Sequence, residues 1–275
     1  MRTGIFESVY PEALLGDRFG SMAKHGFTAV QFNLASIGLQ TLPEEIPETA
    51  RTEILEAVNS HDISLSALAG TFNMIDPDLS TRMDNLSRLL GLIEFAPYIG
   101  VEIVTICTGT RDSGSMWRHH PDNSTPEAWA DLVEMLAPAL RAAEANGVVL
   151  GVEPEPANVI SNAALAKRLI EEMASENLGI IADPANLAAG AREVAVGDVL
   201  DQAFDLLGDR IVLAHAKDLD EHGRFRPAGQ GIVPWAQFRE LLRSAGFDGS
   251  VICHSLGVED IPLAIDTLRD GGFPI

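Results

Sequence analysis

Glu153, Asp183, His215 and His254 carry side chains able to donate to a metal ion, and each closes a short apolar run in the second half of the chain. Carboxylate oxygens and imidazole nitrogens together suit Mn²⁺, Mg²⁺, Co²⁺, Zn²⁺ or Fe²⁺, whereas a thiolate site needs a cysteine cluster. Only Cys107 and Cys253 are present, both within apolar runs, and both read as small buried side chains. Each donor also has a structural alternative. Glu153 could be a hydrogen-bonded carboxylate at a strand end, and Asp183 the cap of a turn formed with Pro184 and Asn186. His215 could donate to a backbone carbonyl, and His254 could support the ligands or touch substrate.

Further groups able to do chemistry lie beside these. Glu155 is a base or a substrate acceptor if it faces the same space, and otherwise an exposed loop acid. Lys217 can stabilise an enolate, a carboxylate or a phosphate, and Asp218 either holds that lysine or begins a polar turn. The segment from Thr108 to Asn123 is long and chemically dense. In it Trp117 can cover the apolar face of a sugar ring, while Arg111, Arg118, His119 and His120 supply polar contacts. The quieter reading is a folded lid whose basic side chains pair with acids. Earlier in the chain, Gln31 and Asn33, together with Glu7, are placed to reach a polyol, and Thr71, Phe72 and Asn73 to form part of its wall. The turn Gly229-Gln230-Gly231 lacks the spacing of a dinucleotide fingerprint.

The elements that must position these residues alternate almost from end to end. Strand-like runs are expected at Thr3–Phe6, Ala29–Asn33, Ser64–Gly70, Glu102–Gly109, Val148–Glu153, Leu178–Asp183, Ile211–His215 and Ser250–His254. Helical patterns follow at Pro11–Lys24, Pro47–Ser60, Leu79–Tyr98, Pro126–Asn146, Asn162–Ala174, Val196–Leu207, Trp235–Ser244 and Ile261–Leu268. Ser124-Thr125-Pro126-Glu127 offers a cap, an early-helix proline and a carboxylate at a helix start, and Gly147 a stop. Eight strand–helix units predict one closed (β/α)8 barrel over residues 1–275, with no linker or low-complexity tract to divide it. In such a barrel the C-terminal strand ends share one mouth, so Glu153, Asp183, His215 and His254 would approach it from four neighbouring strands.

Composition limits the partners. The 275 residues carry 19 basic and 40 acidic side chains, a formal charge of −21. That field repels phosphodiester backbones and argues against nucleic acid, while a bound divalent ion would reverse the sign locally. No run approaches the length of a membrane span or has the form of a signal peptide, so a cytoplasmic protein is the default expectation. Homo-oligomerisation is open, with no symmetry indicated.

With these residues placed, the chain resembles the xylose-isomerase-like TIM barrels, known broadly as sugar-phosphate isomerases and epimerases. The resemblance rests on Val152-Glu153-Pro154, Ala182-Asp183-Pro184-Ala185-Asn186, Ala214-His215-Ala216-Lys217-Asp218 and the stretch Gly229-Gln230-Gly231 to Val233-Pro234-Trp235. It covers nearly the whole chain. It implies metal roles for Glu153, Asp183 and His215, with one divalent ion, first of all Mn²⁺ or Mg²⁺. Many sugar epimerases of this group carry a glutamate at the end of the eighth strand, where this chain has His254; a two-glutamate mechanism therefore does not transfer directly. The family also includes DNA-repair endonucleases, which assemble a larger histidine-rich cluster than is found here, and inosose dehydratases. The implied activity is metal-dependent isomerisation or epimerisation of a small sugar, ketose or sugar phosphate. Glu153 is then the first choice for proton transfer and Glu155 the alternate, with Lys217 or His254 polarising oxygen or returning the proton. Inosose-type dehydration and a non-catalytic, metal-containing sugar-binding barrel are the alternatives.

Overall fold

Apolar residues at alternate positions of each strand must be covered on both faces, which a parallel sheet achieves by closing on itself and carrying its helices outside. The computed structural model describes residues 1–190 and 194–275 and shows this arrangement. Its elements are β1 (Arg2–Phe6), α1 (Leu15–Lys24), β2 (Ala29–Phe32), α2 (Glu48–His61), β3 (Ser64–Ala69), α3 (Leu79–Phe95), β4 (Ile103–Ile106), α4 (Pro126–Asn146) and β5 (Val149–Val152). There follow α5 (Ala163–Met173), β6 (Leu178–Ala182), α6 (Pro184–Ala188), α7 (Val196–Leu207), β7 (Ile211–Leu219), β8 (Phe225–Pro227), α8 (Trp235–Ser244), β9 (Ser250–Cys253) and α9 (Ile261–Asp270). Strands β1 to β7 and β9 pair in parallel, and β9 closes the ring against β1. The expected (β/α)8 barrel is therefore the fold.

Two apolar clusters hold it. The larger lies around strands and helices, with Phe19, Phe27, Phe32 and Phe238 among its fully buried members. The smaller joins Ala29, Ala67, Ile181, Leu213 and Ile252. These come from five strands and meet inside the barrel. Two residues further along the same strand faces stand Gln31, Asp183, His215 and His254, so the period of two lifts them from this interior plug to the mouth.

Several local expectations change. The first helix begins at Leu15 rather than Pro11, and the third ends at Phe95 before a 3-10 turn over Ala96–Ile99. The seventh strand does not stop at His215 but continues to Leu219, where Lys217, Asp218 and Leu219 pair antiparallel with Pro227, Arg226 and Phe225. The cap at Thr125 forms, its side chain accepting the Ala128 N–H, and Gly147 ends α4 in the left-handed region.

Glu7 is not at the mouth. It is buried with no exposed surface, its Oε1 accepting the Asn33 N–H at 3.2 Å while Oε2 has no hydrogen-bond partner among the described residues. Burial pushes its carboxyl up to about 7 against the hydrogen bonds that favour ionisation. The folded state thus keeps a proton that the unfolded chain releases, and this residue costs stability as pH rises from about 4.5 to about 7. Glu7→Gln is expected to stabilise the protein at pH 8, by up to about 3 kcal/mol, and to change little at pH 4. Urea unfolding of both proteins at the two pH values checks this; an equal shift at both would remove the ionisation cost as its cause.

Candidate active site at the barrel mouth

Glu153 follows β5, Asp183 follows β6, His215 lies within β7 and His254 follows β9. Four neighbouring strands of the closed ring therefore present these side chains to one point. His215 Nδ1 lies 3.2 Å from Glu153 Oε1 and 3.8 Å from Asp183 Oδ2, and His254 Nε2 lies 3.1 Å from Asp183 Oδ2. One donor atom from each of the four falls within 4.8 Å of all the others. An ion with bond lengths of about 2.1 Å places its donors at most roughly 4.2 Å apart. Small side-chain adjustments bring the set to that size, and two carboxylates with two imidazoles have the donor chemistry of a divalent-ion site.

Asp183 serves two ends at once. Its Oδ1 caps α6, accepting the Ala185 and Asn186 N–H groups at 2.9 Å, which leaves Oδ2 to face the cluster. The cap and the cluster are thus two uses of one carboxylate rather than alternatives. Burial disfavours its charge, yet Lys217, His254 and His215 outweigh that and hold the carboxyl well below the usual range. Burial likewise opposes the Glu153 charge, and His215 and Lys217 bring its pKa below normal. His254 is pushed down by burial and by neighbouring His215, which favours the neutral ring that can act as a ligand. Its Nδ1 meets Ser255 Oγ at 3.0 Å, and Ser255 holds a positive φ of 59° to make that contact.

Lys217 is buried beside the cluster, 3.1 Å from Asp183 Oδ2 and 2.7 Å from Asn186 Oδ1. Burial works against its charge, but Asp183, Glu153 and Glu155 raise its pKa above the ordinary lysine value. Asn186 joins the groups together: its Nδ2 donates to Glu153 Oε1 at 2.7 Å and to Glu155 Oε2 at 2.8 Å. Glu155 lies outside the four-donor set. Burial first, and then the nearby Glu153 charge, push its carboxyl up to about 7.

Above these groups opens a cavity of about 670 Å³. Gln31, Asn33, Glu153, Glu155, Lys217 and His254 all line it, as does Trp117, which is 56% exposed at the rim. The other basic residues of the fourth loop, Arg111, Arg118, His119 and His120, are not brought to this cavity. Arg111 bonds Asp131 at 2.6 Å and the Ile75 carbonyl, and Arg118 pairs with Asp112 at 3.2 Å. His119 lines a separate groove of about 260 Å³, and His120 Nδ1 accepts the Asp122 N–H. The contacts of Arg111, Arg118 and His120 are those of the folded-lid reading: acids take up the two guanidinium groups and a local turn takes up the His120 ring nitrogen. Asparagines fix that lid: Asn73 accepts the Thr110 N–H and donates to the Thr110 carbonyl, Asn123 accepts from Arg111 N, and Asn158 donates to the Met116 carbonyl. Gly109, at φ 79°, passes so close to Asn73 that a Cβ there would collide with its side-chain oxygen.

Phe6, Phe225, Asn186 and Ser255 were not picked out for the site from sequence. Phe6 is the residue before Glu7, and the alternation that buries Glu7 turns Phe6 toward His215 and His254, with ring centroids 6.1 and 5.7 Å away. Asn186 was visible as a turn residue and as the end of the Asp183 motif; its place at the third position of α6, after the Asp183 cap, aims its amide across the mouth. Asp218 makes no bond to Lys217 and instead organises the glycine turn, accepting from Gly229 N, Val233 N and Trp235 Nε1.

The sequence profile of the xylose isomerase-like TIM barrel matches residues 19–270, and the chain belongs to that family. Among similar solved structures is the 3-keto-D-glucoside 4-epimerase YcjR from E. coli, with 20% identity over 99% of both chains and a TM-score of 0.73. A D-tagatose 3-epimerase-like protein gives 17% identity, 98% and 97% coverage of this chain and that one, and a TM-score of 0.77. A xylose isomerase-like TIM barrel protein from Mycobacterium smegmatis, solved with magnesium, gives 16% identity, 93% and 86% coverage, and 0.69. No curated protein matches the chain in sequence. At these identities the likeness carries the barrel fold. None of the described helices is long and apolar enough to cross a membrane.

Proposed function

We propose that this barrel is a divalent-metal-dependent isomerase or epimerase acting on a small sugar, ketose or sugar phosphate, by proton transfer at the carbon beside a carbonyl. The observation that carries this reading is Glu155, a carboxyl pushed up to about 7 that lines the cavity beside a four-donor cluster without belonging to it. Glu153, Asp183, His215 and His254 would hold the ion, which supplies Lewis acidity to the oxygens of an α-hydroxy carbonyl compound.

The chain's own groups then divide the work. Glu155 is the base that takes the α proton and, in an isomerisation, returns it to the neighbouring carbon, its affinity for a proton set by burial and by Glu153; inversion at the same carbon would require a second group, His254 or Lys217, to deliver a proton to the opposite face. This moves the role from Glu153, whose Oε1 already meets His215 and Asn186 and whose pKa is lowered. The Asn186 amide orients one oxygen of Glu155. Lys217 sits over the Phe225 ring, 4.3 Å from its centroid, and balances the carboxylates from below. Phe6, Trp117 and Phe225 provide apolar faces against which the C–H side of a sugar can pack.

Turnover is measured across ketoses, aldoses, their phosphates and inososes, after metal removal and separate reconstitution with Mn²⁺, Mg²⁺, Co²⁺ and Zn²⁺. Ion-dependent interconversion with solvent deuterium exchange at the α carbon is the expected result. Loss of water from an inosose would reassign the same proton abstraction to dehydration. Tight stoichiometric binding of ion and sugar without product would make the barrel a binding protein.

A further inference from the structure

Gln31 is buried within β2, and its amide spans the barrel interior between two other strands. Its Nε2 donates to Thr105 Oγ1 of β4 at 3.2 Å, and its Oε1 lies 2.9 Å from His215 Nε2 of β7. Thr105 and His215 are buried as well. With the amide anchored this way, the oxygen that faces His215 can only accept, so the proton of the neutral ring belongs on Nε2. Nδ1 then turns a lone pair toward Glu153 Oε1 and Asp183 Oδ2. Facing two carboxylate oxygens, Nδ1 has either a proton or a metal cation between itself and them, and a bound ion takes the place of the proton.

We propose that Gln31 is a positioning residue that fixes His215 in the Nε2–H tautomer and so presents Nδ1 as a ligand atom, rather than a contact for substrate. The inference rests on the metal-dependent reading of the site and names the group that prepares it. Histidines that bind metals are commonly oriented through the other ring nitrogen, and loss of the orienting partner typically weakens metal binding 10–100-fold. Thr105 extends the arrangement by one bond: its Oγ1 accepts the Gln31 Nε2–H in the orientation that turns the amide oxygen to the imidazole.

The test measures Zn²⁺ and Co²⁺ affinity by chelator competition for the wild type, Gln31→Leu, Gln31→Glu and Thr105→Val, together with ¹⁵N–¹H spectra of the His215 ring. The wild type is expected to show a slowly exchanging proton on Nε2 in the zinc-loaded protein. Gln31→Leu should weaken both metals by about 10–100-fold and lose that slow proton, while Gln31→Glu, which keeps an acceptor, should restore the affinity. Thr105→Val leaves the glutamine in place and should give a smaller loss in the same direction, and it serves if Gln31→Leu does not fold. Unchanged metal affinity in a folded Gln31→Leu variant overturns the proposal, and a raised KM at unchanged affinity would return Gln31 to the substrate. Should the wild type bind neither ion, the metal-centre reading fails on its own. The neutral ring of the metal-free protein then decides separately: a proton on Nε2 supports the role of Gln31, and a proton on Nδ1 overturns it.

Discussion

Glu155→Gln is expected to lower kcat by about 10²–10⁴ while the protein keeps its full metal content and its fold. The substitution preserves shape and leaves a carbonyl oxygen to accept from Asn186, so what is lost is proton transfer together with one carboxylate charge near Lys217. In the wild type, kcat/KM should rise with pH as Glu155 loses its proton. The free carboxyl is pushed up to about 7, and a bound cation pulls it lower, so the rising limb lies at or below that value. In the glutamine variant the limb should vanish from the residual activity. Metal analysis, deuterium wash-in and a pH profile on the two proteins make the comparison. A variant retaining near-normal turnover would return the base role to Glu153 or to His254.

The second large effect concerns Lys217. In the metal-free protein this ammonium is a fixed positive charge among Glu153, Asp183 and Glu155, all of them buried or partly buried. Replacing Lys217 with Met leaves those carboxylates uncompensated, and breaking a buried ion pair in this way costs about 3–5 kcal/mol. A divalent ion can supply the missing charge. The chelated Lys217→Met protein should therefore melt far below the chelated wild type, and saturating Mn²⁺ or Zn²⁺ should close most of the gap. Binding at 100-fold excess over Kd adds about 2.7 kcal/mol, so recovery is expected to be large without being complete. Scanning calorimetry of both proteins, with and without metal, measures it. An equal loss in the two states would mean that Lys217 acts through packing against Phe225 and not through charge.

The strand order could be read from sequence because each barrel strand is a short apolar run followed by a polar residue, and alternation then places every second side chain on the inner face. Asp183, His215 and His254 show this directly, standing two residues beyond Ile181, Leu213 and Ile252 of the interior plug. Capping was equally legible at Thr125 and Gly147, where local residue chemistry decides the geometry. The end of β7 was not. Asp218 could equally begin a polar turn, and the buried partners of the two residues, Asp183 and Asn186 for Lys217 and the glycine turn for Asp218, accompany the continuation of the strand through them. The partners of the fourth loop were hidden for a related reason. Its arginines are chemically suited to a sugar or phosphate, but Asp131 is reached across the fold and no local pattern pairs it with Arg111 and Arg82. Gln31 was seen as a polar group near the mouth, whereas its direction depends on Thr105 and His215, far from it in sequence.

The hairpin made by β7 and β8 gives the cavity two walls of unequal stiffness. Phe225 sits on a strand paired residue by residue with Lys217, Asp218 and Leu219, and its ring covers the Lys217 ammonium. Its backbone is fixed by that pairing, and turning the ring, which is 41% exposed, uncovers the Lys217 ammonium. Trp117 projects from a loop whose backbone is tied by asparagines, yet its side chain is more than half exposed and can turn at the cost of rotamer freedom alone. The Phe225 side therefore acts as a fixed gauge for whatever part of a ligand rests there, and accommodation of larger or smaller substituents falls to the Trp117 side.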